Sequence, residues 1–155
     1  MTARQPSPNA QLSARVSRFP PDIVALAKRV LPKLRHAFPG CYELVYDYSN
    51  SVVVAFGSSE RGYEAIVAVS FSPKLVRLYF DKSLPDPNGL LEGSGTKVRS
   101  VSVTSAADID RGGIQALIKA AIKRSGVKLP RTGSTRMVFK SEAKQRKPKA
   151  ASRTE

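Results

Sequence analysis

From Ile23 onward the apolar residues recur as Ile23, Ala27, Val30, Leu34 and Ala37/Phe38, the spacing of one helical face. Pro20-Pro21-Asp22 opens that helix, with proline φ values suited to a first turn and an acid at the positive end of the dipole. Pro39-Gly40 closes it. Pro32 lies inside and predicts a kink or a division into two, because it offers no N–H to the preceding turn. Lys28, Arg29, Lys33 and Arg35 fall largely off the apolar stripe.

The period then shortens. Cys41 to Tyr48 alternates, with Leu44, Tyr46 and Tyr48 on one face. Val52 to Phe56 is a short β-branched run that reads as a central strand. Tyr63 to Phe71 and Leu75 to Phe80 follow, separated by the turn Ser72-Pro73-Lys74. In the second of these Val76, Leu78 and Phe80 share one face, Arg77 and Tyr79 the other. The breaker-rich loop 83–89 leads to Leu90-Leu91, which are expected to tuck onto the core, and then to a fifth strand, Val98 to Val103. A second helix is expected from about Arg111 to Arg124, capped by Asp108 or Asp110, with the stripe Ile114, Leu117, Ile118, Ala121 and Ile122. Gly112-Gly113 weaken its first turn by up to ~1 kcal/mol each relative to alanine.

The order helix, five strands, helix predicts an α+β domain. Its five-stranded, mostly antiparallel sheet would carry both helices on one face. After Gly126 apolar residues thin out, and Met137-Val138-Phe139 is the one stretch that offers an edge strand. The expected organisation is a flexible arm over 1–19, a domain over 20–125 and a basic, mostly disordered tail over 126–155.

Charge sharpens this division. The chain carries 26 Lys/Arg against 12 Asp/Glu, a net +14, of which +3 falls in 1–19, +4 in 20–125 and +7 in 126–155. One cysteine excludes an internal disulfide and a cysteine-based zinc site. No apolar run approaches the ~18 residues of a bilayer span. The start has no apolar core of the secretory kind, and although Arg4, Arg15 and Arg18 imitate a transit peptide, its prolines fit an arm better. A cytoplasmic protein without a cofactor or metal is the expectation.

Three stretches resemble the YdhG-like family, a domain of unknown function. They are Ala37-Phe38-Pro39-Gly40 at the helix end; Phe71-Ser72-Pro73-Lys74 with Val76 to Phe80; and Gly95-Thr96-Lys97-Val98-Arg99 with Val101, Val103, Ala107-Asp108-Ile109-Asp110 and Leu117-Ile118. The resemblance covers about residues 21–125. It implies a two-helix, mostly antiparallel domain similar in outline to frataxin, and, since some relatives are labelled iron chaperones, a small-anion or iron carrier. Other members show Gly-Met-Pro where this chain has Tyr46-Asp47-Tyr48-Ser49. The first helix here has Asp22 as its only acid, a surface that repels a hard cation.

The candidate chemistry is sparse. Gly95 and Thr96, with Lys97, Arg99, Arg77 and Tyr79, form a candidate anion pocket, although the glycine loop opens a strand rather than the helix of a phosphate loop. His36, the only histidine, reads as a residue near the negative pole of a helix, and Cys41 as a small buried hydrophobe. Asp108 and Asp110 read as caps, Glu43 and Asp47 as a solvated strand face or a weak cation site. Lys140, Lys144, Arg146, Lys147 and Lys149 in the tail suit a polyanion bound by counterion release. The expected function is a small non-enzymatic binding or accessory domain. Non-specific nucleic-acid association through the tail, and carriage of a small anion or iron, are the alternatives.

Overall fold

A computed structural model describes residues 6–93 and 98–140. The elements run α1 (Pro8–Val16), α2 (Pro21–Ala37), β1 (Tyr42–Asp47), β2 (Val52–Gly57), a 3-10 turn (Gly62–Glu64), β3 (Ala65–Phe71), β4 (Val76–Asp81), β5 (Val98–Val103), α3 (Ala107–Asp110), α4 (Gly112–Ser125) and β6 (Arg136–Lys140). The fold is α+β around one mixed six-stranded sheet of order β5-β4-β3-β2-β1-β6. Neighbouring strands are antiparallel except β6, which runs parallel to β1.

All four helices contribute to a single apolar core against one face of this sheet. Val30 and Leu34 of α2, Ile109 of α3 and Ile118 of α4 meet Val54, Phe56, Val69, Phe71, Leu78 and Phe80 there. Phe38 stacks on Phe56 with ring centroids 5.4 Å apart. Burying side chains of this size stabilises by roughly 1.5–3 kcal/mol each. Pro32 does not divide α2, which is continuous over its 17 residues, and its ring is exposed.

Two expectations about the ends are corrected. Residues 8–16, assigned to an arm, form α1. Ser7 caps it by accepting from the Ala10 N–H at 3.1 Å, and Pro8 sits in the first turn, where it lacks nothing the helix needs. Leu12, Val16 and Phe19 enter the core. Arg15 and Arg18 reach Asp47 at 3.4 and 2.7 Å, and Arg15 lies 4.4 Å over the Phe139 ring. Likewise, residues 126–140 belong to the body rather than to a tail. Gly126 ends α4 at φ 76°, the left-handed value that closes a helix. The chain then crosses to the far edge, where the Arg136 N–H donates to the Cys41 carbonyl at 2.9 Å. Met137 and Phe139 turn to the core side of β6, opposite Glu43 and Val45.

Asp108, inside the short α3, accepts from the Thr104 and Ser105 N–H groups of the preceding turn, and against the expectation neither α3 nor α4 starts with a side-chain cap. Leu90 and Leu91 do tuck against the core. Gly113 makes this possible: a Cβ there would lie 2.6 Å from Leu90 Cδ1.

Candidate functional site

The candidate anion pocket is not assembled as expected. Gly95, Thr96 and Lys97 lie outside the described residues. Arg77 and Tyr79 pair with Ser102 and Ser100 on the face away from the helices, while Arg99 pairs with Phe80 and so stands on the opposite face. The alternation of β5 decides this, because Arg99 shares parity with Val101 and Val103, which are buried in the core. Arg77 instead donates to Ser100 Oγ at 2.9 Å and to the Glu92 carboxylate at 3.2 Å. Of the tail residues, Lys140 belongs to β6, its Nζ donating to the Glu60 carbonyl at 2.8 Å. Lys144, Arg146, Lys147 and Lys149 lie outside the described residues.

What the sheet does assemble is a face built around tyrosine. Its cross-strand pairs place Lys140, Tyr46, Val53, Ser70, Arg77 and Ser102 in one row across the helix-free side. Two residues along, Val138, Leu44, Ala55, Ala68, Tyr79 and Ser100 form the next. Arg136, Tyr42 and Gly57 begin a third. Val53, Ala55, Ala68 and Ser70 on β2 and β3 therefore floor a shallow trough, in which Ala55, like the neighbouring Leu44, is buried and the others are half-buried. Tyr42 and Tyr46 rise on one side of it and Arg77 and Tyr79 on the other, three strand spacings or about 14 Å apart.

Every aromatic residue obeys the same division. Among the six phenylalanines, Phe19, Phe38, Phe56, Phe71 and Phe80 are in the core and Phe139 packs against it. Of the five tyrosines, Tyr42, Tyr46 and Tyr79 are half-buried on the helix-free side. The Tyr48 ring lies parallel to that of Tyr46, 5° between planes and 6.2 Å between centroids. Tyr63, on the 3-10 turn, is 84% exposed. That turn folds against the Tyr46 hydroxyl, which leaves no room for a Cβ at Gly62. Burial there pushes the Tyr46 phenol above its ordinary value. Arg136 lies 5.7 Å from the Tyr42 ring centroid, and Tyr42, Ser58, Ser59, Glu60 and Arg61 line a notch of about 320 Å³. The segregation was readable in the alternation of Tyr42, Leu44 and Tyr46, and of Arg77 and Tyr79; the contribution of Arg136 and Lys140 was not, because it required β6.

On the helix side, Glu43 is not part of a solvated face. It is fully buried, and Arg35 grips it while the Thr135 hydroxyl donates to Oε2. A cleft of about 530 Å³ opens beside it, lined by Ser7, Asn9, His36 and Ser134 among others. Asp47 is held by Arg15 and Arg18 rather than left free for a cation. No group of three His, Cys, Asp or Glu side chains close enough to share a metal occurs among the described residues. Cys41 is buried, and desolvation pushes its thiol up to about 11, far from the reactive thiolate. No helix among the described residues is long and apolar enough to cross a membrane.

Comparison with protein-family models, curated proteins and solved structures finds no match to this chain.

Proposed function

We propose that this chain is a small non-enzymatic accessory domain of YdhG-like type that associates with nucleic acid through a cationic surface. One observation carries the reading: among the described residues cations outnumber acids, and most of the acids are held in ion pairs or loop hydrogen bonds. Described residues hold nineteen Lys/Arg against ten Asp/Glu. Six of those acids, Glu43, Asp47, Glu64, Glu92, Asp108 and Asp110, are in ion pairs. Asp81 and Asp86 accept hydrogen bonds from their own loops. By contrast Lys28, Arg29, Lys74, Lys119, Arg124 and Lys128 are exposed. A surface with that imbalance concentrates polyanions and releases their counterions on binding. The segment beyond Lys140 adds Lys144, Arg146, Lys147 and Lys149 to the same field.

Among the described residues the candidate acid and base groups are not organised into a pair, which argues against an enzyme. Arg35 neutralises the Glu43 carboxylate, the Cys41 thiol is protonated, and His36 is exposed without a carboxylate partner among the described residues. The stretches that carry the resemblance have structural work in this fold. The Ser72 hydroxyl donates to the Leu75 carbonyl across the β3–β4 turn, and Asp108 ties down the turn before α3 by accepting from the Thr104 N–H.

Binding of the full chain to heparin and to nucleic acid at about 50 and 200 mM salt tests the proposal. Six or more phosphate contacts predict a loss of at least ~10³ in affinity between those salts. An affinity that ignores salt, or no binding at the lower salt, removes it.

A further inference from the structure

We infer that the helix-free face of the sheet is a stacking platform for single-stranded nucleic acid. This rests on the polyanion-binding reading and adds to it the form of the ligand and the surface that holds it. A duplex hides its bases from a protein surface, and a cationic tail reads only its phosphates. A single strand presents ring faces, which aromatic side chains stack on regardless of base identity, while flanking cations hold the backbone.

The trough has both parts in register. Tyr42 and Tyr46 stand on β1 and Tyr79 on β4, about 14 Å apart. Between them stand the short side chains of Val53, Ala55, Ala68 and Ser70, Ala55 buried and the others half-buried. Lys140 and Arg77 bracket the same row as Tyr46, and Arg136 stands beside Tyr42. Tyr63 projects from the adjoining turn, next to the notch that Arg61 helps to line. The acids on this side, Glu92 and Asp81, lie toward β5, and Glu60 and Glu64 sit in the turn, where Glu64 is paired with Arg61. Arg77 is paired with Glu92, so charge complementarity places the phosphates along the β6 edge, where Arg136 and Lys140 stand, and the bases against the tyrosine rings. A face that had only to be wetted has no need of Tyr42, Tyr46 and Tyr79 while every phenylalanine goes to the core.

The chain itself supplies the probe. It has five tyrosines and no tryptophan, so its emission comes from rings on or beside this face. A thymine oligomer of about twelve nucleotides should quench that emission, and the same length of duplex should not. In the full chain, Tyr42→Ala and Tyr79→Ala should each weaken the single strand by roughly 5- to 150-fold while heparin binding holds. Tyr79→Phe, which keeps the ring, should bind as the parent does. Should an alanine variant lose its circular dichroism signal, Tyr79→Leu keeps the apolar cover without the ring and should show the same weakening. Neutralising Lys144, Arg146, Lys147 and Lys149 to Gln should lower heparin and oligomer affinity together and leave the quench at saturation intact. Variants that bind the oligomer like the parent overturn the platform while salt-dependent heparin binding keeps the polyanion reading. Failure of both ligands at low salt ends both. A dimer that Tyr79→Ala dissolves and the oligomer does not displace also overturns it, by giving the face to a second copy of the chain.

Discussion

Arg35 holds Glu43 with two nitrogens at once, Nε to Oε2 at 2.7 Å and Nη2 to Oε1 at 3.1 Å, across the seam between α2 and β1. The carboxylate is fully buried and the guanidinium is a quarter exposed, so the two substitutions are not equivalent. Arg35→Ala leaves a buried charge with the Thr135 hydroxyl as its remaining donor among the described residues and should cost about 3–5 kcal/mol in urea unfolding. Glu43→Gln keeps the shape and acceptor oxygen and should cost less. Arg35→Met combined with Glu43→Leu removes both charges together and should recover most of the loss. A double variant as unstable as Arg35→Ala would show that packing, rather than the uncompensated charge, sets the penalty.

The strand that completes this arrangement is the second point of attack. β6 supplies Met137 and Phe139 to the core, and the residue just before it supplies the Thr135 donor to Glu43. A chain ending at Leu129 loses all three and bares the outer edge of β1, an open template for aggregation. Relative to a chain ending at Lys140, it should be destabilised by several kcal/mol, from two half-buried apolar side chains and one buried hydrogen bond. Equal urea midpoints for the two truncations would mean that β6 contributes nothing to the body. The same comparison guides work on the tail: a cut at residue 127 confuses loss of charge with loss of a strand.

Adjacent glycines at the start of α4 separate propensity from packing. Gly112 has open space around its missing Cβ, whereas the same atom at Gly113 would press on Leu90 Cδ1 at 2.6 Å. Gly112→Ala should raise stability by up to ~1 kcal/mol, or about 3–5 °C in melting temperature for a body of this size. Gly113→Ala gains the same propensity but must displace Leu90, and should be neutral or destabilising. A rise of the same size at both positions would refute the role of Gly113 as the seat of Leu90.

These cases mark how far the sequence could be read. The stripe from Ile23 to Phe38, the short antiparallel strands and the split of Val76, Leu78 and Phe80 from Arg77 and Tyr79 are local signals, and the fold keeps them. α1 was missed although Leu12, Val16 and Phe19 already stand at helical spacing, because its prolines look like breakers until Pro8 is placed at the first turn. Met137 and Phe139 alternate in only five residues amid lysines, too little apolar surface to declare a strand without β1 beside it. The partner of Glu43 is harder still, since Thr135 is 92 residues away. Arg99 resembles Arg77 in chemistry, but its parity with Val101 and Val103 assigns it to the other face.

Titration should unsettle the body from both ends of the pH scale. At Asp108, burial alone would raise the carboxyl, but donation from the Thr104 and Ser105 N–H groups, the Thr104 hydroxyl and Arg111 outweighs it and holds the group below its ordinary value. A carboxylate depressed in the folded state stabilises above its unfolded value and ceases to do so as pH falls through the folded one, so this contribution fades below about pH 4. Cys41 has the opposite linkage. Desolvation raises its thiol from 9.0 to about 11. The protonated form it favours stabilises fully below 9.0, and the advantage disappears as pH climbs through that interval. Unfolding free energies of Asp108→Asn and Cys41→Ala, measured against the parent across pH, should flatten the acid and alkaline limbs respectively. Native Cys41 should also resist a thiol reagent at pH 8 until denaturant is added. Rapid labelling of the folded chain at that pH would contradict the burial on which the alkaline limb depends.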